Sequence, residues 1–347
     1  MPFAHEEVQL RRGQRTGLPI IVAVHSTRLG AAAGGCRLWS YSDWTHGLSD
    51  ALKLSEGMTW KCAAAGLSVG GGKTVIAVPE GQVLDPAGRR AALLDAGDVI
   101  ASLDGRYATG PDAGTGPEDM AVIGERTEHV FCRPEEAGGS GDPSPFTALG
   151  VLASLRATCR VLNGSPDLAG RRFAVVGAGH VGERVARMIA EQGGELVVSD
   201  IAAAKASLAD ELGARFLPPR EALVSEVDVL VPAALGGVLN RELVPRLRCA
   251  AIAGPANNQL AEREVAELLQ ERSILWAPDY VVNAGGVIHA IARELLGEDL
   301  AKATARVESI EQTLQDIFAT AQETGTTPSA AADDLARRRV RGSEDPE

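Results

Sequence analysis

Two sets of residues in this 347-residue chain have the types and spacing that chemistry requires. The first is Gly177-Ala178-Gly179-His180-Val181-Gly182, a G-x-G-x-x-G run directly after the apolar stretch Phe173-Ala174-Val175-Val176. Between a strand and a helix, Gly177 permits a tight turn, Gly179 lets the backbone approach a pyrophosphate, and Gly182 lets the helix pack on the strand. The free N–H groups and positive dipole end of that helix would face the phosphates. His180 occupies a variable slot of the loop and reads as loop surface rather than as a catalyst. Asp200 stands 18 residues beyond Gly182, at the end of the next apolar stretch. A carboxylate there holds both ribose hydroxyls and repels a 2′-phosphate, which predicts NAD rather than NADP.

The second set is a pair of lysines and an acid. Lys61 lies in MTWKCAAAG (58–66), and Lys73 lies twelve residues later in Gly70-Gly71-Gly72-Lys73-Thr74, both among small apolar residues. A lysine so placed either snorkels or has a purpose. Two close lysines repel and burial disfavours charge, so one can be neutral near pH 7 and act as a general base. Two separate surface lysines remain the competing reading. The GGGKT run does not fit a phosphate loop, because the required upstream glycine position is Leu67 and a strand, not a helix, follows. Asp112, in YATGPDAGT (107–115), supplies a carboxylate; taken alone it reads as an ordinary turn aspartate.

These residues need elements to position them. LPIIVAVH (18–25) and Val75–Val78 read as strands, and 48–59 and 89–103 as helices. A Gly-, Pro- and Ser-rich stretch at 135–145 reads as a linker. After it, 147–162 and 181–192 read as helices, and 172–176, 196–199, 227–231 and 250–253 as strands. Such alternation predicts an α/β fold with a parallel sheet and helices on both faces. The basic tail RRRVR (337–341) reads as a solvated helix end rather than a binding patch.

Composition excludes other classes. The net charge of −12 offers no basic footprint for nucleic acid. No 18-residue apolar run predicts a membrane span, and the N-terminus lacks the pattern of a secretory signal. Five scattered cysteines without C-x-x-C predict a reduced, cytoplasmic protein with no metal site and no disulfide framework.

The ordered segments GGCRLW (34–39), MTWKCAAAGL (58–67), GGGKTVI (70–76), TGPDAGT (109–115), DPSPFTALGV (142–151), GAGHVG (177–182), ALGGVLN (234–240), ANNQL (256–260) and APDYVVNAGGVIHA (277–290) together resemble the glutamate/leucine/phenylalanine/valine dehydrogenase family. The resemblance runs from about Val22 to Arg338 and is closest to the phenylalanine, leucine and valine branch. It implies two domains around a cleft. Residues 1–142, with about 318–347 returning, would bind substrate, and 143–317 would be a Rossmann domain binding NAD. It also implies a homo-oligomer and reversible oxidative deamination of an L-amino acid to the 2-oxo acid and ammonia. By resemblance, Lys61 would hold the substrate carboxylate with the Gly34-Gly35 backbone. Lys73 would be the general base for water, and Asp112 would exchange a proton with the substrate amine. Asn283 would lie near substrate and nicotinamide ribose, Thr147 would hold the nicotinamide amide, and Asn257 would lie beside the cofactor. Pro255 and Ala233 depart from the family pattern, at positions where a small residue and a cysteine are usual, and bear on the loop beside the cofactor.

Family members acting on glutamate resemble one another in carrying a lysine at the position of Ala33, so an apolar substrate is predicted here. Ala33 and Gly110 are smaller than their leucine-type counterparts, which favours phenylalanine; Val287 in VVNAGGVI resembles leucine and valine enzymes. A 2-hydroxy-acid dehydrogenase or a non-catalytic NAD-binding protein are the more distant alternatives.

Overall fold

The computed structural model describes residues 4–342, and these divide into two compact units. The first comprises residues 4–142, 290–299 and 336–342; the second comprises 143–289 and 300–335.

The first unit contains β1 (Glu7–Arg12), β2 (Pro19–Ser26), β3 (Ala32–Tyr41), α1 (Trp44–Ala64), β4 (Gly70–Pro79), α2 (Pro86–Ala101), β5 (Tyr107–Pro111) and α3 (Pro117–Gly124). Its sheet has the order β1-β2-β4-β3-β5. β2 runs antiparallel to β1 and β4, whereas β3 runs parallel to β4 and β5. The sheet is therefore mixed, not parallel as strand–helix alternation predicts. The short connection between β1 and β2 admits only an antiparallel pair. Side chains of β2 alternate. Ile20, Val22 and Val24 pack with Leu93, Ile100 and Met120 from α2 and α3, while Ile21 and Ala23 pack with Val75, Ala77 and Ala51 on the α1 side. Lys73, two residues before Val75 on β4, takes the α1 side.

The three glycines before Lys73 are the first residues of β4. A Cβ on Gly70 would lie 1.9 Å from Ser26 O, on Gly71 2.1 Å from Thr59 N in α1, and on Gly72 2.4 Å from the Tyr107 ring. Close packing of a strand end, a helix and an aromatic ring accounts for all three.

The second unit contains α4 (Ser144–Asn163), β6 (Arg172–Val176), α5 (His180–Glu191), β7 (Glu195–Ser199), α6 (Ala206–Glu211), β8 (Arg215–Phe216), α7 (Pro219–Ala222), β9 (Val229–Pro232), β10 (Ala251–Ile252), α8 (Val265–Glu271) and β11 (Leu275–Trp276). After these come α9 (Asp279–Val282), α10 (Gly285–Ala290), α11 (Leu300–Glu308) and α12 (Ile310–Thr324). The sheet order is β11-β10-β9-β6-β7-β8, with every pairing parallel. Counted within this unit, that is the Rossmann order 3-2-1-4-5-6, with its switch point between β6 and β9.

The expected return of the chain near residue 318 takes a different course. Residues 318–335 stay with the second unit, because α12 buries Leu314, Ile317 and Phe318 while packing along α4. The first unit is rejoined instead through a π-helical turn, Ile291–Leu295, and through the last turns of α13 (Pro328–Gly342).

Candidate active site

In the first unit, the register of the sheet gathers the chemistry on the α1 side. Cys36 on β3 pairs with Thr74 on β4, which sets Gly35 beside Lys73, and Gly35 pairs with Gly110 on β5. Asp112 follows at the end of β5. Its turn is tied to β3: the Asp112 N–H donates to Thr115 Oγ1 at 3.0 Å, and Thr115 Oγ1 donates to Cys36 O at 2.7 Å. Gly114, at φ +82°, comes so close to Leu38 O that a Cβ would lie 2.0 Å from it. Lys73 Nζ meets Asp112 Oδ2 at 2.8 Å. Gly35 makes this meeting possible, because a Cβ there would lie 2.7 Å from Asp112 Cβ and 3.2 Å from Lys73 Nζ. Gly34, on the other face, presses against Gly72 O, 1.8 Å from where its Cβ would be.

Lys73 is only 4% exposed. Burial pushes its amine below the usual lysine range; the Asp112 carboxylate opposes this without cancelling it, and Arg37 adds to the lowering. Burial pushes the Asp112 carboxyl up, but Lys73 and then Arg37 outweigh it and hold it below the usual carboxylate range. The pair thus sets an amine whose hold on its proton is weakened by burial beside an acid whose ionised form is favoured.

Lys61 sits half-buried in the last turn of α1, two residues past Thr59, whose backbone touches Gly71. Nearby, α1 ends in a Schellman turn: Gly66 N donates to Ala63 O and Leu67 N to Cys62 O, both at 3.0 Å, with Gly66 at φ +67°. The AAAGL sequence after Lys61 is this helix stop.

In the second unit, the glycine loop follows β6 at the switch point. Gly177 has φ +111°, and a Cβ there would lie 2.7 Å from Ala234 Cβ. Gly182 packs on Gly177 O, 1.9 Å from a notional Cβ, and 3.1 Å from Ala233 Cβ. A Cβ on Gly179, by contrast, meets nothing within 4 Å. Gly179 and His180 are exposed at the start of α5, while Ala178 and Gly182 are buried and Val181 is half-buried. The Asp200 carboxylate accepts the Ala178 and Ala202 N–H groups, each at 2.8 Å. Burial pushes its carboxyl up, yet those backbone donors hold it below the usual range. A carboxylate offers about four lone-pair positions, so two remain for hydroxyls. An open helix start, a glycine with space above it and a fixed, ionised acid at the next strand end suit a dinucleotide.

Three further positions lie in this unit. Asn283, 8% exposed, donates from Nδ2 to Asn257 Oδ1 at 2.8 Å and to Pro255 O at 3.3 Å. Pro255 therefore ties the Asn257 loop rather than disrupting it. Thr147 Oγ1 donates to Pro143 O at 3.1 Å and lies against Gly286, 2.5 Å from where a Cβ would be. The two glycines of Asn283-Ala284-Gly285-Gly286 thus let α10 start against α4, with Val287 half-buried beside them.

The family model described as "Glu/Leu/Phe/Val dehydrogenase, dimerisation domain" matches residues 3–129, and the one described as "Glutamate/Leucine/Phenylalanine/Valine dehydrogenase" matches residues 197–340. The chain belongs to the Glu/Leu/Phe/Val dehydrogenase family. It is 40% identical over 339 residues to a leucine dehydrogenase of Thermoactinomyces intermedius, covering 97% of this chain and 91% of that one. It is 41% identical over 340 residues to a valine dehydrogenase of Streptomyces virginiae, covering 97% and 94%. The crystal structure of an L-tryptophan dehydrogenase from Nostoc punctiforme superposes with a TM-score of 0.85 at 36% identity, covering 98% and 97%. The chain is an amino-acid dehydrogenase, an oxidoreductase acting on CH–NH2 donors.

Within that family assignment, the structure adds residues that the motifs did not single out. The cation beside Lys73 and Asp112 is Arg37, whose Nε donates to Asp112 Oδ2 at 2.8 Å. Its signal was present, since Arg37 stands two residues beyond Gly35 on the same face of β3. Phe131 is the second addition. A Cβ on Gly110 would lie 2.3 Å from Phe131 Cε2, so the ring already fills the space that the glycine leaves. Ala33, beside Gly71 in the register, is fully buried. The room that the glycine at 110 leaves is thus taken by the Phe131 ring, as protein interiors close around missing atoms. Phe131 is placed by pairing of its N–H with Thr109 O at 2.9 Å, and by Glu294 Oε1, which accepts the Cys132 N–H at 2.7 Å and the Ser140 N–H at 2.9 Å. These clamps hold Cys132 at φ +58°, an unusual conformation for a residue with a side chain.

Proposed function

We propose that this dehydrogenase carries out the reversible, NAD-dependent oxidative deamination of a branched aliphatic L-amino acid, leucine or valine. The observation that carries the reading is the buried Lys73 amine, its proton affinity lowered by burial, at 2.8 Å from an Asp112 carboxylate held below the usual range. NAD, when bound, accepts the hydride released from the substrate α-carbon. Asp112 exchanges a proton with the substrate amine. Lys73 Nζ takes a proton from water as that water adds to the resulting imino carbon, and ammonia then leaves. Lys61 and the Gly34-Gly35 backbone hold the substrate carboxylate. Gly177, Gly179 and the start of α5 receive the pyrophosphate. Asp200, with its two remaining lone-pair positions, takes the ribose hydroxyls and disfavours a 2′-phosphate. Thr147, Asn257 and Asn283 orient the nicotinamide end. Assembly into a homo-oligomer in the cytoplasm belongs to the same reading, and the dimerisation-domain match supports the first part.

Phenylalanine is the competing substrate, favoured by the small residues Ala33 and Gly110. The Phe131 ring over Gly110 and the burial of Ala33 support a smaller substrate instead. A pocket of this kind discriminates by about 1–3 kcal/mol per methylene, so the preference is measurable. The test is kcat/KM with NAD for L-leucine, L-valine, L-phenylalanine and L-glutamate, beside the Lys73→Ala variant. Leucine or valine ahead of phenylalanine, glutamate inert, and loss of about a hundredfold or more in the variant are expected. Phenylalanine ahead would overturn the substrate reading alone; undiminished turnover by Lys73→Ala would overturn the base. An ammonia-independent reverse reaction would point to a 2-hydroxy acid.

A further inference from the structure

Arg37 is a charge for which the deamination chemistry assigns no task. Its guanidinium forks between two carboxylates: Nε donates to Asp112 Oδ2 at 2.8 Å and Nη1 donates to Asp50 Oδ2 at 2.9 Å. Tyr41 Oη donates to the same Asp50 oxygen at 2.8 Å. Arg37 and Tyr41 share one face of β3, and Asp50 reaches them from α1. Lys73, from β4, also meets Asp112 through Oδ2. Both cations therefore engage one oxygen, and Oδ1 accepts no hydrogen bond among the described residues. Across the sheet, on the α2 side, lie two further titratable groups, Cys36 on β3 and Tyr107 on β5; both are fully buried, and burial pushes the Cys36 thiol up to about 12 and the Tyr107 phenol up as well.

We propose that Arg37, anchored by Asp50 and Tyr41, is a positioning residue that turns Asp112 Oδ1 toward the substrate amine and sets a second cation beside Lys73 on the shared oxygen Oδ2. The proposal rests on the deamination reading of this site. A guanidinium suits the task because its planar fork fixes two carboxylates at once, which the point charge of a lysine does not. The sign of its effect follows from Coulomb's law. Without Arg37, Lys73 loses a repelling cation and keeps the attraction of Asp112, so it retains its proton to higher pH.

The test reads Lys73 directly: trace acetylation of the folded protein with acetic anhydride across pH, with Lys73 quantified by mass spectrometry. Arg37→Gln is expected to move the labelling midpoint up by about one pH unit, and the acidic limb of kcat/KM with it. Arg37→Lys restores the charge and brings the midpoint back, yet leaves kcat/KM about tenfold low because the fork is gone. Asp50→Asn, which spares Lys73, Asp112 and Arg37, lowers kcat/KM about threefold to tenfold with KM for NAD unchanged. A midpoint unmoved in Arg37→Gln, or full recovery of kcat/KM in Arg37→Lys, would overturn the proposal. Should Arg37→Gln not fold, unchanged kcat/KM in Asp50→Asn overturns it. A wild-type protein inert toward every amino acid, with the labelling shift present, would defeat the deamination reading while supporting the control of Lys73 by Arg37.

Discussion

Gly110 and Phe131 show how much a single missing Cβ decides. The glycine is buried on the face that carries Lys73, and the Phe131 ring lies where a side chain at 110 would go. Gly110→Ala forces a contact of about 2.3 Å unless the ring moves, and overpacking of this kind costs about 1–3 kcal/mol. Most of that cost is expected to vanish when Phe131→Val is added, since the two residues share one volume. A urea-denaturation double-mutant cycle checks this, and additive losses would show that the two positions act separately. Phe131→Val alone should raise kcat/KM for phenylalanine relative to leucine by about tenfold, the worth of about one methylene of pocket. The pairing was invisible along the chain because the partners lie on different segments, joined by the hydrogen bonds of Thr109 N–H to His129 O and of Phe131 N–H to Thr109 O.

Among the elements, α5 and the loop before it carry cofactor binding in the proposed function, and their glycines serve different ends. Gly177 and Gly182 are needed by the fold, as their notional Cβ atoms lie 2.7 and 1.9 Å from Ala234 Cβ and Gly177 O respectively. Gly179 faces open space. Gly179→Ala is therefore expected to leave the melting temperature within about 2 °C of wild type, while KM for NAD rises about tenfold or more as the methyl group meets the pyrophosphate. Calorimetry and steady-state kinetics on one variant settle the matter; a large fall in Tm would assign Gly179 to packing instead. The turn and the helix start of this loop were legible beforehand, because both lie within six consecutive residues. The mixed sheet of the first unit was not. Alternation of strands and helices specifies neither strand order nor direction, and β4 opens with three glycines that carry no strand propensity.

At the scale of the whole molecule, the chain's last helix closes the first unit on itself. Arg339 donates to Ala63 O at 2.9 Å and to Ala64 O at 2.6 Å, capping the end of α1 across 276 and 275 residues. A cation at a helix C-terminus is worth about 0.3–1 kcal/mol, up to about 2 where partly buried. Arg339→Met should lower stability by about 1 kcal/mol and raise the KM for the amino acid severalfold with kcat nearly unchanged, because Lys61 lies in the capped turn. An unchanged KM would mean that the turn holds Lys61 without its cap. Arg339 thus has a structural role within the basic tail, while Arg337, Arg338 and Arg341 are exposed as a solvated helix end predicts.

The sequence by itself determined what depends on contiguous residues: the Rossmann loop, the acid at the next strand end and the family membership carried by its ordered motifs. Lys73 and Asp112 were nameable as a base and an acid only through that resemblance. Tertiary structure decided what depends on partners with no fixed spacing. Arg37 reaches Asp112 over 75 residues and Cys132 reaches Glu294 over 162. No local pattern encodes such distances, because the strand order that joins them is settled by the burial of whole faces. The same holds for the space beside Gly110, whose size follows from what fills it, the Phe131 ring, not from the small residue itself.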